Sequence, residues 1–321
     1  MKGGYMSFSR QVKEELIMAT GTARHCQLAE LAASFEYCGY ITGQENGRPV
    51  IGISTENKII SIKCFTLLKK TFNIYSGVCV RKHSKQSKNL VYELKIEDWR
   101  KANEVLMALK LYDEVTGSYG DMGGVANPIL LKKDCCRRAY LRGIYLAAGS
   151  MSNPEKGYHM EFVCDRESQA RYLITILQEF DIEAKKVIRK KYHVVYLKDG
   201  EAIVDLLGLM GAHIALMELE NTRIYKEMRN SINRRVNCEA ANITKTVNAA
   251  ARQVEDILYI QKHMGLQKLP ANLREMAQLR LDYPEATLKE LSELLNPPVG
   301  KSGVNHRLRK LSELAERLRL N

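Results

Sequence analysis

Ser302, Asn305, His306 and Arg309 recur at i, i+3, i+4 and i+7. On a helix this spacing stacks a hydroxyl, an amide, an imidazole and a guanidinium along one face. The set is rich in hydrogen-bond donors and holds no carboxylate. Such a face suits the DNA major groove, where arginine pairs with guanine and asparagine with adenine, both bidentately. Val304, Leu308, Leu311, Ala315 and Leu318 recur at i, i+4, i+7, i+11 and i+14 and form an apolar stripe on the opposite side. Arg307 and Lys310 flank the polar face. Ser302 follows the turn Asn296-Pro297-Pro298-Val299-Gly300 and is expected to cap the helix.

A second source of chemistry would be the eight cysteines: Cys26, Cys38, Cys64, Cys79, Cys135, Cys136, Cys164 and Cys238. No CxxC and no Cys/His ligand spacing is present, and the adjacent pair Cys135-Cys136 does not match a usual zinc pattern. The expectation is reduced, mostly buried thiols, with no metal and no cofactor.

The 321 residues suffice for two or three domains, each with its own core. A formal charge of +12 and a pI near 9.2 attract polyanions, nucleic acid first among them. Charge alone leaves a basic housekeeping enzyme equally open. The first residues lack an apolar core of signal length, and no run of eighteen apolar residues occurs. A cytoplasmic, nucleoid-associated protein with no membrane partner is expected.

The elements that carry these residues follow in order. Residues 7–20 read as an amphipathic helix with Val12, Leu16 and Ile17 inward, and 24–39 as a helix crowded with small residues, among them Ala29, Ala32, Ala33 and Ser34. Small residues on one face admit a close neighbouring helix. A strand at 49–54, a helix at 57–74 with Leu67, Leu68 and Phe72 inward, strands at 78–83 and 90–96 about a polar turn at 84–89, and a helix from Asp98 to 110 follow. Residues 112–127, with four glycines, read as a flexible connection.

The pattern then repeats: helix 135–149, strand 158–163, helix 167–180, strands 187–190 and 194–197, helix 201–210. Gly39 and Gly149 are 110 residues apart, Phe72 and Phe180 are 108 apart, and Val91 and Val194 are 103 apart. This is an internal duplication of an αββαββα unit, with helices on one side of each sheet, and it predicts a paired sheet surface or saddle. Lys82, Lys85, Lys88, Lys186, Lys190 and Lys191 lie on its strands and turns, either on DNA or as ordinary solvated charges.

Residues 221–263 are helical in propensity and rich in amides, at Asn221, Asn230, Asn233, Asn237, Asn242 and Asn248. A solvated linker helix and a DNA-backbone contact are both open. Gly265 ends that helix and Pro270 opens the next, which carries Leu273, Met276, Ala277 and Arg280. Thr287 and Glu290 form a capping box, with Leu288, Leu291, Leu294 and Leu295 on the buried side of the following helix. Three short helices with a basic last one make a helix-turn-helix.

Taken together, the run Lys301-Ser302-Gly303-Val304-Asn305-His306-Arg307-Leu308-Arg309-Lys310, the Asn-rich stretch 230–253 with Lys245-Thr246 and Ala249-Ala250, and Leu269-Pro270 resemble the WhiA family of bacterial sporulation and cell-division regulators. The resemblance covers essentially the whole chain. It implies an α+β fold: a duplicated LAGLIDADG-like saddle domain, then a helical linker and an all-α helix-turn-helix domain. The boundaries expected are 1–23 for the N-terminal helix, 24–115 and 133–220 for the repeats with a connection at 116–132, 221–265 for the linker and 266–321 for the helix-turn-helix. It also implies DNA binding in transcription, cell division, chromosome segregation and, in spore formers, sporulation, with another transcription factor or RNA polymerase as a further partner.

In LAGLIDADG nucleases the two small-residue helices each end in an acid that binds the catalytic metal. Those positions here are Cys38 and Ala148. Neither side chain is a ligand for Mg²⁺, because alanine has no donor atom and a thiol is too soft. The reading is therefore a DNA-binding regulator and not an enzyme, with no catalytic or metal residues. Double-stranded DNA would be held by Thr287, Lys301, Ser302, Asn305, His306, Arg307, Arg309 and Lys310. Asn305, His306 and Arg309 would lie nearest the bases, and Lys301, Ser302, Arg307 and Lys310 on phosphates. The alternatives are a metal-dependent homing-type endonuclease, with Glu36 the nearest replacement acid, and a scaffold that binds a partner protein through the duplicated domain.

Overall fold

A computed structural model describes residues 7–43, 48–82, 90–113 and 115–320. The chain divides into two compact units, Met1–Tyr225 and Lys226–Asn321.

The first unit opens with α1 (Phe8–Met18), whose Phe8, Val12 and Leu16 are buried while Ile17 is half-buried. The first repeat is α2 (Arg24–Cys38), β1 (Gly39–Thr42), β2 (Val50–Thr55), α3 (Lys58–Phe72), β3 (Val78–Lys82), β4 (Leu90–Ile96) and α4 (Trp99–Ala108). A short hairpin of β5 (Tyr112–Asp113) and β6 (Ser118–Tyr119) leads to the second repeat. That repeat is α5 (Asp134–Ala148), β7 (Gly149–Met151), β8 (Met160–Cys164), α6 (Glu167–Gln178), β9 (Lys185–Arg189), β10 (Tyr192–Leu197) and α7 (Gly200–Met210). The two antiparallel sheets have the same order, β1-β2-β4-β3 and β7-β8-β10-β9. Ile53 pairs with Leu94 in one and Phe162 with Val195 in the other, so the same inward rows fill both cores.

The sequence reading omitted β1 and β7, which are three or four residues long and begin at the glycine that ends each long helix. The expected turn at 84–89, with Lys85 and Lys88, lies outside the described residues. The stretch expected to be a flexible connection is instead tied down. Met122 and Ala126 are buried, and the Ala126 N–H donates to Glu36 Oε2 at 3.2 Å.

The repeats meet where α2 crosses α5. A Cβ added at Gly143 would fall 2.7 Å from both the Ala33 Cβ and the Glu30 carbonyl oxygen, so only glycine permits this approach. Beside the crossing, Glu30 is fully buried. Its carboxylate accepts from Arg142 Nε and Nη2 of α5, both at 3.0 Å, and pairs with Lys63 Nζ of α3 at 3.0 Å. Lys63 also donates to the Leu16 and Ala19 carbonyls at the end of α1, and Arg142 Nη1 donates to the Met210 carbonyl at the end of α7. These carbonyls lack helical partners, so the two cations cap two helices while one carboxylate holds both cations. Burial pulls Lys63 below the usual lysine range, and Glu30 opposes that pull.

The eight cysteines are less uniform than expected: four are buried, Cys38 is half-buried, and Cys79, Cys135 and Cys238 are exposed. The expectation of no metal-ligand grouping also needs correction. The ligand atoms of His25, Cys26, Cys135 and Cys136 all lie within 4.8 Å of one another. Linear spacing misses the group because α2 and α5 supply two members each from opposite repeats.

The helix expected from Asn221 begins earlier, as α8 (His213–His263), and the division between the units falls within it. In the second unit its last turns join α9 (Ala271–Asp282), α10 (Leu288–Leu294) and α11 (Lys301–Leu320) around Ile257, Ile260, Met276, Leu291, Val304 and Leu308. Gly265 has φ +84°, and its N–H reaches back to the Ile260 carbonyl, which closes α8 as its sequence predicts. Among the described residues, no helix is long and apolar enough to cross a membrane.

Replacing Glu30 by Gln leaves two buried cations short of their counter-charge. Loss of one partner from such a group costs about 3–5 kcal/mol. Urea unfolding of Glu30→Gln is expected to show a loss of that size in the first unit, and a loss below about 1 kcal/mol would contradict the role given to this carboxylate.

Candidate nucleic-acid interface

Helix α11 buries Val304, Leu308, Leu311 and Ala315 and leaves Lys301, Ser302, Asn305, His306, Arg309 and Lys310 in solvent. The facial split read from its spacing is therefore present in three dimensions. Two details differ. Lys301 already belongs to the helix, so Ser302 sits in the first turn rather than at the cap. The cap position falls to Gly300, whose carbonyl accepts from the Gly303 and Val304 N–H groups. Leu294, expected on the buried side of α10, is 46% exposed, because that helix is short and Leu291 and Leu295 fill the core.

Thr287 caps α10 as expected. Its Oγ1 accepts from the Glu290 N–H at 3.3 Å, and Glu290 returns a carboxylate to the Thr287 N–H at 2.7 Å. The Thr287 N–H first, and the Thr287 hydroxyl next, hold the Glu290 carboxyl below its usual range. Arg280 anchors the same corner from α9: it is buried, and its Nη1 donates to the Ala286 carbonyl at 2.7 Å.

Arg307 and Arg309 have different surroundings. Arg307 is half-buried with Nη1 3.8 Å from Glu275 Oε2 on α9, so it faces the protein. Arg309 is exposed and donates through Nε to Glu313 Oε1, one turn along, at 3.1 Å.

A groove of about 370 Å³ opens beside this face. Lys245 and Thr246 of α8, Thr287 and Lys289 at the start of α10, and Lys301 and Asn305 of α11 line it. No carboxylate does. Lys245, Thr246 and Lys289 were not among the residues expected on DNA. The signal for Lys245 and Thr246 was the basic, amide-rich stretch itself, where Glu227 to Ala249 are exposed throughout. The first unit offers a different surface. There Lys186 is held by Glu167 at 2.7 Å and Arg189 by Glu161 at 3.2 Å, so part of its strand charge is neutralised internally.

Three family models match the chain: the WhiA N-terminal LAGLIDADG-like domain over residues 24–112, the WhiA LAGLIDADG-like domain over 137–229 and the WhiA C-terminal HTH domain over 232–315. The chain belongs to the WhiA family. A protein of Lachnoclostridium phytofermentans is 50% identical over 98% of this chain and 100% of its own length, and one of Alkaliphilus metalliredigens is 46% identical over 98% and 99%. Both carry the name "Probable cell division protein WhiA". A crystal structure of full-length WhiA from Thermatoga maritima is 25% identical, covers 97% of this chain and 99% of its own, and superposes with a TM-score of 0.59. The duplicated α+β domain followed by a helical HTH domain is the WhiA fold.

In this WhiA chain the LAGLIDADG-like helices α2 and α5 end at Cys38 and Ala148, each followed by the glycine that starts a strand. Burial raises the Cys38 thiol to about 11, so it stays protonated at neutral pH. Lys13 of α1 lies near enough to perturb it, and burial lowers this lysine to about 8. A thiol and an ammonium group thus occupy one end of the helix pair.

Glu36, the nearest replacement acid, is held within the protein through one of its carboxylate oxygens. It is buried, and its Oε2 accepts from the Tyr140 hydroxyl and the Ala126 N–H. Burial raises its pKa to about 7, against the opposing pull of these two bonds. Since the folded value lies above the unfolded one, the folded chain binds more protons between about pH 4.5 and 7. Stability is therefore lost as pH rises through that window, by up to about 1.4 kcal/mol per pH unit. Glu36→Gln removes this dependence. Unfolding titrations at pH 5 and pH 8 are expected to show the variant gaining on the wild type at the higher pH; a pH-independent difference would refute the assignment.

Proposed function

We propose that the chain is a sequence-specific double-stranded-DNA-binding regulator in which α11 reads the major groove. The observation that carries this reading is the exposed, donor-rich face of Lys301, Ser302, Asn305, His306, Arg309 and Lys310, on which Glu313 meets Arg309 alone, continuous with the cationic groove at Lys245 and Lys289. Asn305, His306 and Arg309 take the base edges. Lys301, Ser302, Thr287 and Lys310 take phosphates and set the register, with Lys245 and Lys289 extending that contact. Arg307, which faces Glu275, positions α11 against α9 as well as lying near the backbone.

The names of the relatives support a place in cell division, and the regulatory reading extends to transcription, chromosome segregation and, in spore formers, sporulation. A nucleoid location follows from the same DNA affinity. Another transcription factor or RNA polymerase is the further partner that such a role requires. The competing nuclease reading is disfavoured by Cys38, Ala148 and the protein-held Glu36. Partner-protein docking on the first unit draws support from the exposed edge strands β3 and β9, where Val80 and Ile188 lie on the surface.

Footprinting against a selected site and a scrambled one distinguishes the roles. Arg309→Ala is expected to lose about 1–3 kcal/mol of discrimination between them. Lys310→Ala and Lys289→Ala are expected to weaken both sites alike and to lower the salt slope by about one each. Wild-type affinity in all three variants would sink the assignment. Supercoiled plasmid with Mg²⁺ or Mn²⁺ should remain uncut, and nicking abolished by Glu36→Gln would favour the nuclease.

A further inference from the structure

The N-terminal ends of α2 and α5 bring together the imidazole of His25 and the thiols of Cys26, Cys135 and Cys136. Three sulfurs surround one nitrogen: His25 Nδ1 is 3.2 Å from Cys136 Sγ, 3.3 Å from Cys26 Sγ and 4.0 Å from Cys135 Sγ. A neutral imidazole nitrogen is either one donor or one acceptor, so hydrogen bonding satisfies only one of these contacts. A single cation among the four atoms satisfies them all.

We propose that His25, Cys26, Cys135 and Cys136 form a closed, four-coordinate zinc site that joins the two repeats. The donor set is the Cys₃His combination of structural zinc centres, and its softness selects against Mg²⁺ and Ca²⁺. The spacing fits as well. Zn–S bonds of about 2.3 Å and a Zn–N bond of about 2.1 Å give tetrahedral edges of about 3.6–3.8 Å. The observed nitrogen–sulfur distances of 3.2–4.0 Å bracket that range.

The duplication explains how the site arises. His25 and Cys26 are the second and third residues of α2, and Cys135 and Cys136 are the second and third residues of α5. Their offset is 110 residues, the same as between Gly39 and Gly149 at the other ends of these helices. Each repeat therefore contributes one dyad at an equivalent position, and the crossing of the helices turns two dyads into four ligands. Helix N-termini favour thiolates, and Arg24 and Lys133 adjoin the ligands in sequence, which offsets part of the net negative charge of three thiolates on Zn²⁺, while the neighbouring Asp134 is paired with Arg137. Zinc must displace the thiol protons, so its uptake strengthens as pH rises. His25 and Cys135 are exposed and give the ion a path in.

The test uses the full chain, purified under reducing conditions without chelator. Elemental analysis is expected to find about one zinc per chain. After metal removal, Co²⁺ should produce a thiolate-to-cobalt charge-transfer band with tetrahedral d–d bands, both abolished by added Zn²⁺. His25→Ala should loosen zinc by at least roughly tenfold, whereas His25→Cys, which restores a fourth soft donor, should retain it. The His25 side chain is exposed, so neither substitution threatens the core. Four results overturn the proposal: folded wild-type chain with neither zinc nor a cobalt charge-transfer band; iron with acid-labile sulfide in place of zinc; a disulfide among these cysteines that persists under reduction; or equal zinc affinity in His25→Ala and wild type.

Discussion

One buried carboxylate, Glu30, fixes how the two repeats sit together. It receives Arg142 bidentately from the opposite repeat and Lys63 from its own, and these cations in turn close the ends of α7 and α1. Five helices are thereby indexed to one side chain. A buried ion group of this kind gains little net stability over an apolar replacement, because desolvation consumes most of the Coulomb energy. Its effect is on register: sliding α2 along α5 by one turn would strand two cations in the core. Gly143 imposes the matching steric condition, since the approach of Ala33 and the Glu30 backbone leaves no space for a Cβ. Attraction and exclusion thus select the same crossing.

With the crossing fixed, the two ends of the helix pair have different chemistry. At the C-terminal end the residues are Cys38 and Ala148, with Lys13 close by. The nearest buried acid, Glu36, is held by Tyr140 and by the connection between repeats, which it helps to order. At the N-terminal end the soft ligands converge. The C-terminal end thus carries a thiol and a methyl group, while the opposite end gathers an imidazole and three thiols.

How much of this was legible in the sequence depends on the range of the interaction. Local rules worked: the Thr287–Glu290 capping box, the Gly265 terminator, the Asp98 cap and the α11 stripe each involve residues within a few positions of one another. The duplication was legible because insertions hardly disturb its offset. Ser302 was misplaced by two positions because Gly300, with no side chain to signal a cap, takes the cap position. β1 and β7 escaped because three or four residues cannot display an alternating pattern. Glu30, Arg142 and the Cys/His group were illegible for a different reason: a charge or thiol on a helix face acquires its meaning from a partner more than 100 residues away. In the same way, α8 adds Lys245 and Thr246 to the groove beside α11 only once the second unit is assembled.

On the DNA-reading proposal, the Arg309–Glu313 pair sharpens discrimination rather than weakening it. Both side chains are exposed, and such a pair is worth about 0–1 kcal/mol. A bidentate guanine contact discriminates by about 1–3 kcal/mol, so Arg309 leaves Glu313 for guanine and has little reason to leave it for another base. Glu313 lies one turn further along the helix, where its charge opposes non-specific approach of the phosphate backbone without entering the base-reading turn. Arg307, directed toward Glu275 on α9, does not enter this competition and holds the angle at which Arg309 is presented. Two neighbouring arginines of the same helix thus divide the work, one spent on the protein and one kept for the ligand, and the sequence spacing of the apolar stripe decides which is which.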